Sequence, residues 1–184
     1  MKKFALIAAS LFAIATVASA QMDMSDKKAN RPSPPASAEC KFSDGKTIKI
    51  DYSSPRAKGR KIFGEASEKA LVPYGEIWRT GANEATTFVT DANLTVGGKT
   101  VPAGNYTIFT VPKADAWTLI VSKKTGEWGT ENPTDKDELV RVPMKVSKNG
   151  PPVENFLIAF DKAGSKCTLR MEWETTIASV EIAK

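Results

Sequence analysis

The chain has 184 residues and a formal net charge of +5, and its basic residues are spread along the sequence. This pattern predicts no nucleic-acid partner, because basic runs interleaved with aromatic residues are missing. Histidine is absent, which excludes Ser-His and Cys-His nucleophile pairs and the usual imidazole metal ligands. We therefore expect no cofactor and no metal site, since the carboxylate spacing of a calcium loop is missing too.

The first twenty residues have the three parts of a secretory signal peptide. Lys2 and Lys3 are basic, residues 4–17 form an apolar run, and Ala18-Ser19-Ala20 is a small-residue cleavage site. The apolar run is shorter than the roughly 20 residues that span a bilayer, so we expect no integral membrane segment after cleavage. We predict a signal peptide at residues 1–20 and a periplasmic or secreted protein.

Residues 21–37 are polar, contain three prolines and lack apolar periodicity, which predicts a disordered, proline-rich tether. From residue 38 to residue 184 the dominant pattern has period two, as in residues 47–52 and 167–173. Further strands are predicted at 85–90, 93–96, 99–101, 105–111, 116–122, 138–146, 156–160 and 176–182.

Turn residues separate these strands, and Gly97-Gly98 is typical of a two-residue hairpin. Only residues 65–71 have a helical pattern, and it is barely two turns long. We predict one domain at residues 38–184: a mostly β, antiparallel β-sandwich or jelly roll with one short helix.

The two cysteines, Cys40 and Cys167, each lie in an alternating stretch that directs them inward. In a chain bound for an oxidising compartment, a disulfide joining the ends of the domain is favoured. Two buried, unpaired thiols are the alternative, and the sequence leaves both open.

A connection of more than thirty residues lies between Tyr52 and Phe88. Connections of that length are usually functional or disordered, and the aromatic residues here predict one that packs against the domain. The runs DYSSPRAKGRKIFG, LVPYGEIWRTGANEATTF and VGGKTVPAGNYTIFTVP, with the later Trp128-Gly129, resemble the secreted bacterial family called domain of unknown function 2911. The resemblance implies an exported, β-sandwich-like domain over residues 38–184 and no established activity.

Polar residues of the connection form a candidate ligand site. Arg79, Asn83 and Glu84 lie within six residues of one another, and Arg60 could converge on them. Arginine presents paired donors that suit a carboxylate, a phosphate or sugar hydroxyls. In the alternative interpretation, Arg79 pairs with Glu84 or with backbone carbonyls and only holds the loop in place.

Trp128 lies in a loop rich in glycine and asparagine, where its ring could stack on a flat ligand or fold back over the sandwich. Trp117 and Trp173 lie in predicted strands and are expected in the core. The carboxylates available for catalysis are Asp51, Glu76, Glu84 and Glu127.

Three functions stay open from the sequence. The preferred one is an exported protein that binds a small polar or carbohydrate-like ligand. The second is a carboxylate-based hydrolase on the same scaffold, and the third is a structural or envelope-interaction module without a pocket. The sequence favours a protein that is not an enzyme, because nucleophile-elbow and phosphate-loop motifs are missing.

Overall fold

The computed structural model describes residues 28–184 of the protein. The predicted signal peptide, and residues 21–27 of the predicted tether, lie outside the described residues. The described strands are β1 (Pro35–Lys41), β2 (Thr47–Ser53), β3 (Phe63–Gly64), β4 (Val72–Pro73), β5 (Thr86–Thr90), β6 (Leu94–Val96), β7 (Lys99–Val101), β8 (Gly104–Pro112), β9 (Ala116–Ser122), β10 (Glu138–Ala163) and β11 (Lys166–Ala183).

Nine of these strands form one sheet in the order β1-β2-β5-β8-β9-β10-β11-β6-β7, with antiparallel pairing throughout. Strands β1 and β11 are six positions apart, which in a flat sheet would separate them by about 29 Å. Yet the Cα atoms of Cys40 in β1 and Cys167 in β11 are only 6.4 Å apart. The sheet therefore folds over on itself into two layers, and the predicted antiparallel sandwich is confirmed.

The core lies between the two layers and is filled by alternate residues of the strands. In β2, Ile48, Ile50 and Tyr52 are buried while Lys49 is exposed, and β11 buries Cys167, Leu169, Met171 and Trp173. Cys40 and Cys167 are bonded in this core, as predicted, and the described residues contain no free cysteine. The period-two pattern thus identified both the strands and their buried faces.

The long hairpin of β10 and β11 differs from the prediction. Residues 138–145 of β10 pair with β9, and residues 145–163 pair with β11, so two predicted strands are parts of one. The pairing is irregular between Lys148 and Leu157. Pro151 and Pro152 lie in this stretch, and because proline cannot donate to the ladder the sequence there resembles a loop.

Two segments depart from their predicted boundaries. Strand β1, the first of the described strands, begins at Pro35, so the described end of the predicted tether is ordered against the domain. The Ser54 amide donates to the Pro34 carbonyl there over 2.9 Å. The predicted helix at 65–71 is a three-residue 3-10 turn, Ala66–Glu68. Lys69 ends this turn because its backbone is left-handed, with a φ of 55°.

The hairpin predicted at Gly97-Gly98 is confirmed between β6 and β7. The two glycines have φ values of 52° and 86°, the left-handed backbone that a tight hairpin turn of this kind requires.

Candidate functional site

The long connection between β2 and β5, residues 54–85, packs against the sandwich as predicted. Single bridges join Arg56 to Asn155, Trp78 to Thr110 and Glu84 to Trp128. Ile62 and Trp78 are buried. The connection therefore brings its polar residues to fixed places on the sheet.

An aromatic cluster lies beneath this connection. The rings of Trp78 and Trp173 are stacked, with centroids 5.8 Å apart and planes 19° apart, and Phe63, Trp117 and Phe156 pack around them. Trp78 Nε1 donates to the Gly81 carbonyl over 3.1 Å. Trp117 and Trp173 lie in the core as predicted, and the cluster gives the site a rigid apolar floor.

Arg79 is held by the backbone of its own loop and not by Glu84. Its Nη1 donates to the Asn83 carbonyl over 3.0 Å, and the Gly129 amide donates to the same carbonyl over 3.1 Å. Asn83 has a φ of 58°, which asparagine tolerates better than most residues. Partial burial lowers the pKa of Arg79 below its ordinary value, because desolvation disfavours the charged guanidinium.

Gly129 allows the Arg79 side chain to lie close to the loop at residues 127–129. A Cβ atom at position 129 would contact Arg79 Cδ and would lie 2.8 Å from the Asn83 carbonyl oxygen. We expect Gly129→Ala to lower the free energy of unfolding by about 1–3 kcal/mol, because Arg79 and the backbone must move apart. Urea unfolding of both proteins measures this difference.

Gly150→Ala is the matched control for this substitution, since a Cβ atom there would meet no atom within 4 Å and its φ lies outside the left-handed range. We expect a change within about 0.5 kcal/mol for the control. Equal losses in the two variants would contradict the close packing of Arg79 on Gly129.

Four cationic side chains surround two adjoining cavities, which we together call the basic cavity. One part, of about 250 Å³, is lined by Arg60, Arg79 and Asn83 above the aromatic floor. The other, of about 280 Å³, is lined by Arg56, Lys58 and Arg60, and Ser33 borders both parts. The structure thus brings together the predicted residues Arg60, Arg79 and Asn83.

Glu84 lies in a different cavity, of about 330 Å³, which we call the acidic cavity. Asp51, Glu84 and Glu127 line it together with Lys28 and Arg31. Arg31 Nη1 donates to both oxygens of Glu84, over 2.8 and 3.0 Å. Partial burial acts to raise the pKa of Glu84, but the hydrogen bond from Arg31 and the charges of Arg31 and Lys28 outweigh it and lower the pKa.

Glu127 has the most buried carboxylate of the acidic cavity, with 6% of its side chain exposed. Lys124 Nζ lies 2.5 Å from its Oε1 atom, while Oε2 has no hydrogen-bond partner among residues 28–184. Glu76, the fourth carboxylate considered for catalysis, lines another cavity beside Arg79.

Trp128 is half-exposed and lines neither cavity, although its backbone pairs with Glu84. Sequence reasoning did not identify Arg56, Lys58 or Arg31 as residues of these cavities. Arg31 contacts a residue 53 positions away, and such a contact leaves no local pattern.

Within residues 28–184, no group of three cysteine or acidic side chains is arranged to hold a metal ion. The same part of the chain contains no helix with the length and apolar character needed to cross a membrane.

Comparison with known proteins identifies a family. Searches of curated proteins and of solved structures gave no significant match. The family model described as "Protein of unknown function (DUF2911)" matches residues 33–182, which extend from just before β1 almost to the end of β11. The chain belongs to this family, in agreement with the resemblance of its sequence motifs.

Proposed function

We propose that the protein binds a small polar ligand in the basic cavity. The observation that carries the proposal is a set of four cations without a carboxylate partner: Arg56, Lys58, Arg60 and Arg79 form no ion pair with any residue from 28 to 184. Other arginines of the domain, such as Arg141 and Arg170, are paired with acidic side chains. Unpaired arginines beside a cavity favour a ligand that accepts hydrogen bonds.

The arrangement around Asn83 assigns different roles to the predicted residues. Asn83 Nδ2 donates to the Ser33 carbonyl over 3.2 Å, and the Asn83 carbonyl accepts from Arg79. Asn83 is therefore a positioning residue, and ligand contact falls to Arg60 and to the free donors of Arg79.

We further propose that the protein is exported to the periplasm or secreted. The signal-like residues 1–20 support this, and so does the disulfide between Cys40 and Cys167, because disulfides persist mainly in oxidising compartments.

A ligand screen by thermal shift tests the binding proposal. We expect one or more members of a panel of saccharides, organic acids and phosphate esters to raise the melting temperature, since a ligand at about 100 times its Kd stabilises by about 2.7 kcal/mol. Arg60→Gln should abolish the shift at an almost unchanged basal stability, because among residues 28–184 the Arg60 side chain bonds only to the Ala57 and Arg56 carbonyls.

Arg141→Gln is the control for this screen, because it makes the same chemical change at an arginine that pairs with Glu138 and lines neither cavity. It should keep the shift. A panel without a single shift, or a shift that Arg60→Gln retains, would contradict the proposal.

A hydrolase based on the acidic cavity is the second candidate function. It is favoured by one observation, the presence of three of the four candidate carboxylates around one cavity. The lowered pKa of Glu84 disfavours this residue as a general acid, which must be protonated to act. Cleavage of chromogenic glycosides that is lost in Glu127→Gln would establish the hydrolase, and its absence would leave the binding proposal.

A further inference from the structure

We propose that the ligand of the basic cavity is a phosphate monoester, bound through its doubly charged oxyanion and with an apolar group against Leu71 at the rim of the cavity. This inference rests on the proposed function and names the chemical class of the ligand.

The first argument is the uncompensated charge. Arg56, Lys58, Arg60 and Arg79 contribute four formal positive charges around the two parts of the cavity. The carboxylate of Glu154 is close to Lys58, but it accepts a hydrogen bond from the Lys58 backbone amide over 2.9 Å and forms no ion pair with the Lys58 side chain. Arg56, Lys58 and Arg60 are exposed, so water hydrates their charges in the free protein. A neutral sugar brings no negative charge to the four cations, and a carboxylate brings one. A phosphate monoester near neutral pH carries close to two negative charges and fits the site better.

The second argument is that the two arginines are held in place before a ligand arrives. Arg60 Nε donates to the Ala57 carbonyl over 3.0 Å, and its Nη2 donates to the Arg56 carbonyl over 2.6 Å. A guanidinium has five N–H groups, so the N–H groups of Arg60 Nη1 and Arg79 Nη2 can still donate to a ligand. Fixed planar donors lose little side-chain entropy on binding and match the tetrahedral oxygens of a phosphate.

The third argument is the apolar wall of the same cavity. Val72, Trp78 and Trp173 line its floor but are buried, and the accessible apolar surface is that of Leu71, of which 43% is exposed, at the rim. The indole N–H groups of Trp78 and Trp173 already donate to the carbonyls of Gly81 and Glu154. The buried tryptophans therefore offer the ligand no donor, and the exposed apolar side chain of Leu71 suits the ester group of the ligand.

Phenyl phosphate is the probe, and isothermal titration of the full chain measures its Kd beside those of benzoate and phenyl β-glucoside. We expect phenyl phosphate to bind at least about tenfold more tightly than benzoate, a difference of about 1.4 kcal/mol. Arg60→Gln should weaken the binding of phenyl phosphate by at least about tenfold. Arg60→Lys keeps the charge but lacks the paired N–H donors of a guanidinium, so it should give an intermediate loss of affinity. Arg141→Gln, the control, should stay within about twofold of the wild type.

The possible failures are distinguishable. Phenyl β-glucoside or benzoate binding as tightly as phenyl phosphate, with the same dependence on Arg60, would overturn the phosphate class and keep the proposed function. If Arg60→Gln leaves the Kd for phenyl phosphate unchanged, the oxyanion does not bind in the basic cavity and the proposal is overturned. If none of the three probes binds, the phosphate class is overturned, while the wider screen still decides the proposed function.

Discussion

Trp173→Ala should lower the free energy of unfolding by about 3–5 kcal/mol, as is typical when a large aromatic residue is truncated in a core. Trp173 is only 1% exposed. Its ring packs on Trp78, and lies within 6.0 Å of Phe63 and 5.7 Å of Phe156, measured between centroids. Its Nε1 donates to the Glu154 carbonyl, so truncation also removes the donor to that oxygen. Urea unfolding followed by far-ultraviolet circular dichroism measures the loss.

Trp128→Ala is the control for this prediction, because Trp128 is 50% exposed and does not lie in the core. We expect its stability to stay within about 0.5 kcal/mol of the wild type. Similar losses of unfolding free energy in the two variants would show that the packing around Trp173 does not stabilise the fold as expected.

Cys40→Ala with Cys167→Ala should lower the free energy of unfolding by about 4–5 kcal/mol in the chain-entropy model. The reason is the length of the closed loop, since the two cysteines are 127 positions apart in the sequence. Without the bond, the unfolded chain regains the freedom that the bond removes. Guanidinium unfolding of the oxidised wild type and the double variant measures the difference.

A reductant separates the disulfide from the loss of packing. The reduced wild type should unfold close to the double variant, and the double variant should not respond to reductant. If reduction leaves the unfolding of the wild type unchanged, the bond does not contribute as the entropy model requires.

The sequence predicted the fold well where one face of a strand is buried and the other is exposed to solvent. Ile48, Ile50 and Tyr52 alternate with polar residues, and their burial follows this pattern. The middle of β10 was not predicted, because Gly150, Pro151 and Pro152 have turn character and the strand continues there only through irregular pairing. Local propensity predicts a turn at these residues, and the pairing with β11 is formed on either side of them, at Lys148 and at Val153.

The candidate site was predicted in part. Arg60, Arg79 and Asn83 line one cavity, but Glu84 lines another even though it follows Asn83 directly. The backbone of Asn83 is left-handed, with a φ of 58°, so the chain changes direction there and closeness in sequence does not imply a shared site. Arg31 pairs with Glu84 from a segment that composition assigned to the tether, and composition gives no information on such a long-range pair.

The place of β11 in the sheet has a consequence for the order of folding. Strand β11, the last of the described strands, lies between β10 and β6 and carries Cys167, the partner of Cys40 in β1. A chain that still lacks residues 166–183 has neither the link to β6 and β7 nor the partner of Cys40. Contacts between distant parts of a chain form slowly, since loop closure must precede them. We therefore expect a nascent chain to stay unfolded until residues 166–183 have been synthesised, and a truncation before β11 to yield no stable domain.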